Sequence, residues 1–368
     1  MIERITLTIG MIVCGISILL FVTGQARAAD EVTQVALVGS AHIHTPDFAA
    51  RLIKRTDVKV KSVWDRDPAL AAQYAKQLNA AVVSDVNVIW NDPTIKAVII
   101  CSQTNQHLEL VTAAARAKKQ IYAEKPLGMG AADAYAMARA IDDAGLLFQT
   151  GYFMRGDPKL QFLKEQMQKG AFGKITRIRG SNAHNGALAG WFDKEYRWMA
   201  DPKQSGVGGY GDLGTHALDL MLWLMNEPVV RVTATTSPGT ARYENCDELG
   251  EGILIFKGGT IGTLAAGWDD VANPVTLEIA GTEGHAVIMN DQLYFQTKKV
   301  AGATGKEPWK DLPQKQAHPF DLFLDAVVGK GTAGIIGADE AAYRAAVMDA
   351  LYQGAKGQKW ADVQQPTK

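Results

Sequence analysis

The stretch that decides the fold is VTQVALVGSAHIHTPDFAARLIKRTDVKVKSVWDRDP, residues 32–68. Its apolar run Val35 to Val38 stops at Gly39. A helical segment is expected over Ala49 to Lys54, and a second apolar run spans Val58 to Trp64 before Asp65 and Pro68. Strand, helix and strand with turn residues at the joins is the opening of a βαβ unit, whose strands pair in parallel.

Working outward, the alternation continues. Pro68 to Leu78 reads as a helix, Ala97 to Cys101 as a strand, and the neighbourhood of His107 to Ala117 as a helix. Gln120 to Ala123, Ala131 to Ala144 and Leu147 to Gln149 follow as strand, helix and strand. This predicts an N-terminal α/β domain over residues 29–150 built on a doubly wound parallel sheet.

The texture changes after Gly151. A helix is expected at Lys159 to Gln168, then alternating runs such as Val230, Val232 and Ala234 set between Arg231, Thr233 and Thr235. Further runs at 252–256, 260–265, 275–280 and 286–289 are separated by turn signals such as Lys257, Gly258 and Gly259. Consecutive strands with short turns favour an antiparallel sheet. Amphipathic segments at 319–328 and 338–353 close a second α/β domain over 151–368.

Composition sets the bounds. The 368 residues are 47% apolar and 21% charged, with 36 Gly and 13 Pro, which excludes a disordered or collagenous chain. With 38 basic and 39 acidic residues there is no electrostatic reason to expect nucleic acid or an anionic membrane as partner. Cys14, Cys101 and Cys246 do not make a disulfide framework.

Residues 5–26 carry no formal charge, lie between Arg4 and Arg27, and run into Ala26, Arg27 and Ala28. A small, any, small pattern behind an apolar stretch predicts a signal peptide, residues 1–28, and a periplasmic or secreted protein. The alternatives are an uncleaved membrane anchor, since the stretch is long enough to span a bilayer, and a cytoplasmic enzyme with a downstream start.

The chemistry is expected at strand ends. Gly39, Ser40, Ala41, His42, Ile43 and His44 occupy the place of a GxGxxG dinucleotide loop, with Ala41 and His44 at its second and third glycine positions. Asp65 ends the second strand, where a carboxylate holds the ribose hydroxyls of NAD; Arg66 beside it would suit the 2'-phosphate of NADP. His42 and His44 have no third ligand close in sequence, so no metal site is assigned. Glu124, Lys125 and Pro126 follow a strand at its carboxyl end, and a lysine there can stabilise a developing alkoxide. Asp212, His216 and Asp219 are spaced to share a helix face, where a carboxylate one turn from an imidazole can raise its basicity. Helix capping by Asp212, with His216 as an interface histidine, is the plainer reading of the same spacing.

Together these residues resemble the Gfo/Idh/MocA oxidoreductase family across nearly all of residues 29–368. Glu124, Lys125 and Pro126 look like its EKP motif. Asp212 and His216 look like its DxGxH motif, and Trp198, Asp201, Pro202, Ser205, Gly206, Gly208 and Gly209 fit the run leading into it. The resemblance implies a Rossmann domain followed by an α/β domain whose open, mostly antiparallel sheet supports a homo-oligomer, with NAD or NADP as cofactor. It implies that Lys125 contacts substrate and nicotinamide ribose, His216 acts as general base and Asp212 orients it. Ser102, Thr104 and His107 fall at its TPNxxH loop, with Ser for Thr, Gln103 for Pro and Thr104 for Asn. Gly39, Ala41, His42, Asp65 and Glu124 complete the expected cofactor contacts, with the main-chain amides of Ala41 and His42 serving the phosphates.

Three functions follow as expectations. The first is hydride transfer between a secondary hydroxyl of a sugar or polyol and nicotinamide, with Trp191 and Arg197 as sugar contacts beside Lys125, Asp212 and His216. Tyr196, Trp198 and His318 are further candidates. The second is a non-redox lyase or glycosidase that retains its NAD and oxidises transiently. The third is a ligand-binding protein that has lost the dinucleotide.

Overall fold

The computed structural model describes residues Val32–Gln365; the expected signal peptide lies outside them. From the first residues the predicted alternation is present: β1 (Thr33–Val38), α1 (Thr45–Lys54), β2 (Val58–Trp64), α2 (Pro68–Leu78), β3 (Ala81–Val82), α3 (Asn87–Trp90), β4 (Ile95–Ile100), α4 (His107–Arg116), β5 (Gln120–Ala123), α5 (Ala131–Asp143) and β6 (Phe148–Gln149). The six strands form a parallel sheet in the order β3-β2-β1-β4-β5-β6, the doubly wound order in which the chain reverses direction between β1 and β4. The last four residues of both strands are fully buried, as helices on both faces require. The helices start on conventional signals: Asp67 caps α2 by accepting from Ala69 N–H, and Pro68 opens it.

The second half begins with α6 (Pro158–Gln168), capped by Asp157, and β7 (Ile175–Ala183). A short turn of helix, α7 (Pro202–Ser205), precedes α8 (Gly209–Met225). Then come β8 (Val229–Ser237), β9 (Leu249–Phe256), β10 (Ile261–Gly267), β11 (Val275–Gly281), β12 (Gly284–Met289), β13 (Gln292–Thr297) and β14 (Thr304–Pro308). Helices α9 (Pro319–Val327) and α10 (Ala338–Gly357) and the two-residue β15 (Ala361–Asp362) end the fold. Nine strands form one sheet, antiparallel at every pairing except β7 with β10. One face of it packs on α8; the other carries exposed Val230, Ile253, Ile261 and Val275.

Two features depart from a simple division at Gly151. Helix α9 returns to the first domain, where Phe320 stacks on Phe48 with ring centres 4.4 Å apart and joins Tyr122 in the same apolar cluster. Helix α8 is buried on almost every side, so the polar groups it carries are withdrawn from water and need partners. Among the described residues no helix is long and apolar enough to cross a membrane.

Candidate active site

Strand β5 delivers Glu124 and Lys125 at its carboxyl end, and the Lys125–Pro126 peptide is cis. The first turn of α8 delivers Asp212 to the same place. Lys125 Nζ donates to Asp212 Oδ1 at 2.8 Å, and Trp268 Nε1 donates to Asp212 Oδ2 at 3.1 Å. Burial works to raise the Asp212 pKa, but the adjacent Lys125 ammonium overcomes it and holds the carboxyl well below its usual range. The pair is therefore ionic and nearly dry, with side-chain exposures of 3% and 11%.

His216 sits one helical turn beyond Asp212, against the rings of Phe153 and Tyr152. Burial, reinforced by Lys125, drives its pKa well below the ordinary value, so the imidazole is neutral. Its Nδ1 is buried without a hydrogen-bond partner. The expectation that Asp212 orients His216 is thus corrected: both Asp212 oxygens are committed to Lys125 and Trp268. Asp212 positions the lysine and acts on the imidazole only through its charge. Asp219, which shares their spacing, belongs elsewhere; Arg344 Nε donates to it at 2.9 Å and Arg155 Nε at 2.8 Å in a buried ionic network.

The loop after β1 has changed character. Gly39 is retained at φ +79°, and a Cβ there would lie 2.5 Å from Ser102 Cβ. Close packing against the end of β4 is sufficient reason for this glycine. Ser40 donates to Asp65 Oδ2 through both N–H (2.6 Å) and Oγ (2.8 Å), while Asp67 N–H donates to Asp65 Oδ1 at 2.8 Å. His42 N–H donates to Cys101 O at 2.9 Å, and Trp198 Nε1 donates to Ala41 O at 3.0 Å. The Asp65 carboxylate thus accepts from the loop and from Asp67, and the His42 amide is bonded to Cys101 O at the end of β4.

The crevice is closed as well. Ser40, Ala41, His42, Ser102 and Thr104 are all buried. The cavity enclosed by His42, Thr104, Lys125, Trp198, Met199 and Asp212 is about 10 Å³, room for one water at most. The residues that would meet a nicotinamide dinucleotide, Lys125 at one end and Asp65 and Arg66 at the other, stand at the expected strand ends. Trp198, Met199 and Ser205 pack over the space between.

Other expected contacts are redistributed. His107 places its two ring nitrogens 3.2 and 3.3 Å from Pro126 O and Ser102 O, so it pins the turn that carries Lys125. Ser102 turns its hydroxyl to Gln103 O. Arg197 lies over the Tyr243 ring and donates to Ala200 O. Trp191 is 46% exposed and packs on His184, ring centres 4.6 Å apart; His184 feels the charges of Asp212 and Lys125, so this pair borders the site. His184 and Trp268 have no signal in sequence spacing, since the β7 and β10 ends carry them into place.

Glu124, expected beside the cofactor, gathers partners of its own. Its buried carboxylate accepts from Lys125 N–H at 3.1 Å and Tyr122 OH at 3.3 Å. Its oxygens also lie 3.3 Å from His44 Nδ1 and 3.7 Å from His42 Nε2. The fold therefore supplies the third ligand that the His42 and His44 pair lacks in sequence.

Comparison with known proteins agrees with this architecture. The profile described as "Oxidoreductase family, NAD-binding Rossmann fold" matches residues 33–152, and "GFO/IDH/MocA C-terminal domain" matches residues 160–287. The levoglucosan dehydrogenase of Pseudarthrobacter phenanthrenivorans is 26% identical over 363 residues, covering 83% of this chain and 90% of its own. The inositol 2-dehydrogenase of Acidothermus cellulolyticus is 34% identical over 221 residues, 58% of this chain and 60% of its own. Among solved structures, levoglucosan dehydrogenase in complex with NADH and levoglucosan superposes with a TM-score of 0.74 at 24% identity, covering 90% of this chain and 99% of that one.

Proposed function

Because the chain belongs to the Gfo/Idh/MocA oxidoreductase family and carries its NAD-binding Rossmann domain, we propose that it oxidises a secondary hydroxyl of a sugar, anhydrosugar or polyol. The observation that carries the reading is the Lys125 and Asp212 ion pair beside a neutral, unpartnered His216. Relatives named as levoglucosan and inositol dehydrogenases support the substrate class.

The roles follow from the geometry. His216, kept neutral by burial, takes the hydroxyl proton on a ring nitrogen. The Lys125 ammonium donates a hydrogen bond to the oxygen as its charge grows, and Asp212 holds that ammonium in place. Trp191 and His184 offer an apolar ring face and a polar edge for the sugar at the border of the site. Nicotinamide, when bound, supplies the hydride acceptor. Trp198 and Met199 of the 197–205 segment pack over Lys125 and Asp212 and keep water from that pair.

Two further parts of the reading concern the whole protein. The apolar segment ahead of residue 29 is a signal peptide that directs export. The exposed face of the nine-stranded sheet, with Val230, Ile253, Ile261 and Val275, is the contact surface of a homo-oligomer.

The test is direct. Dinucleotide released on denaturation is measured, NAD and NADP are titrated separately, and NADH formation is followed with levoglucosan, inositols and aldoses. Binding of NAD and turnover of one of these classes is expected. No binding of either dinucleotide contradicts the proposal.

A further inference from the structure

We propose that His42, His44 and Glu124 bind one divalent transition-metal ion at the floor of the first-domain crevice. One ligand atom from each of the three residues lies within 4.8 Å of the others. A tetrahedral ion with bonds of about 2.1 Å needs ligand separations of about 3.4 Å. His44 Nδ1 lies 3.3 Å from Glu124 Oε1 and His42 Nε2 lies 3.7 Å from Glu124 Oε2, so each imidazole already stands near that separation from one oxygen of the carboxylate. Binding draws the three ligand atoms from within 4.8 Å of one another to that separation.

The origin of the cluster is visible in the chain. His44 stands where the dinucleotide loop has its third glycine, and His42 two positions earlier, so both side chains leave the same tight turn at the start of α1. Glu124 reaches them from the end of β5, 80 positions along from His44. Its carboxylate is oriented by Lys125 N–H and Tyr122 OH, the arrangement by which an outer shell fixes a metal-binding carboxylate. A Cβ on Gly151 would stand 2.9 Å from both Glu124 oxygens, so the backbone there closes the back of the site. The His44 side chain is 31% exposed and gives the ion a way in.

The donor set selects the ion. Two imidazoles and one carboxylate, with no thiolate, suit Zn²⁺, Fe²⁺ or Co²⁺ over Mg²⁺, Ca²⁺ or Cu⁺. Three protein ligands leave at least one coordination position open. One rearrangement is required. His44 N–H donates to His42 Nδ1 at 3.2 Å, which places the ring proton on Nε2 facing Glu124. Coordination through Nε2 moves that proton to Nδ1 and releases the main-chain contact.

The site adjoins the proposed redox centre, since Glu124 accepts from Lys125 N–H, and its test does not use turnover. Tag-free protein, stripped by chelator dialysis, is titrated with Co²⁺ by visible absorption and with Zn²⁺ by calorimetry. One ion per chain is expected. His44→Ala and Glu124→Gln should each weaken binding by about 100-fold or more. His318→Ala, an imidazole outside the cluster that stacks on Phe153, should leave it unchanged. Circular dichroism checks that Glu124→Gln folds; if it does not, the partly exposed His44 variant decides alone. No uptake by the wild type, or uptake that survives His44→Ala undiminished, overturns the proposal. NAD titration of the same samples separates this outcome from the function proposed above.

Discussion

Lys125 Nζ and Asp212 Oδ1, 87 positions apart in sequence, meet at 2.8 Å and join the end of β5 to the first turn of α8. This bond ties the two domains together at the place where the chemistry is proposed. Neither group has water to fall back on, so the pair is costly to break from one side and cheap to replace from both.

A double-mutant cycle tests that asymmetry. Lys125→Met strands the Asp212 charge, with only Trp268 left to bond it, and should destabilise the fold by about 3–5 kcal/mol. Lys125→Met combined with Asp212→Leu should recover most of the loss. Denaturant midpoints measure both, and additive losses would contradict the account.

Gly39→Ala should destabilise by at least about 1–3 kcal/mol, because the position needs positive φ and a Cβ would meet Ser102. The loss should be the same with and without dinucleotide. Dependence on dinucleotide would show that phosphate binding, not strand packing, keeps this glycine.

Trp198→Phe keeps a ring over the loop but removes the donor to Ala41 O. It should lower stability by about 1 kcal/mol and speed dinucleotide association. Stopped-flow fluorescence quenching measures the rate. An unchanged rate would show that the 197–205 segment does not control entry.

A pH effect is expected away from the site. Burial, with Glu248 beside it, raises Asp269 from 3.8 to about 6. A carboxyl raised on folding contributes stability that is full below its unfolded pKa and lost as pH rises through the folded value. Melting temperatures of wild type and Asp269→Asn between pH 4 and pH 8 should therefore separate as pH rises from about 4 to about 6 and keep a constant offset above that, to the relative benefit of the variant. Parallel curves would contradict the shift.

Much of the fold was legible because the first domain's strands are short buried runs ending at turn residues, as in Val35 to Val38 before Gly39. The expected strand at Ala97 to Cys101 and helix at Pro68 to Leu78 agree with β4 and α2 to within a residue or two. Lys125, Asp212 and His216 were legible as motifs, but their bonding was not. Which atom Asp212 holds depends on Trp268, brought in by β10. The return of Phe320 to Phe48, the cover formed by Trp198, and the meeting of Glu124 with His42 and His44 are products of tertiary packing, and periodicity carries no trace of them. The seat of Arg197 over the Tyr243 ring was likewise not legible, because a charged residue beside a motif says nothing about the ring it lies on.

The central claim is that His216 is the base. Its buried Nδ1 has no partner, so His216→Leu removes an unsatisfied polar group and should leave stability equal or higher. NADH formation at 340 nm by this variant, with the sugar that the wild type oxidises, is the most direct measurement. The account predicts a loss of about 10²–10⁴-fold in turnover at an unreduced melting temperature. Wild-type turnover in a folded His216→Leu protein would contradict it.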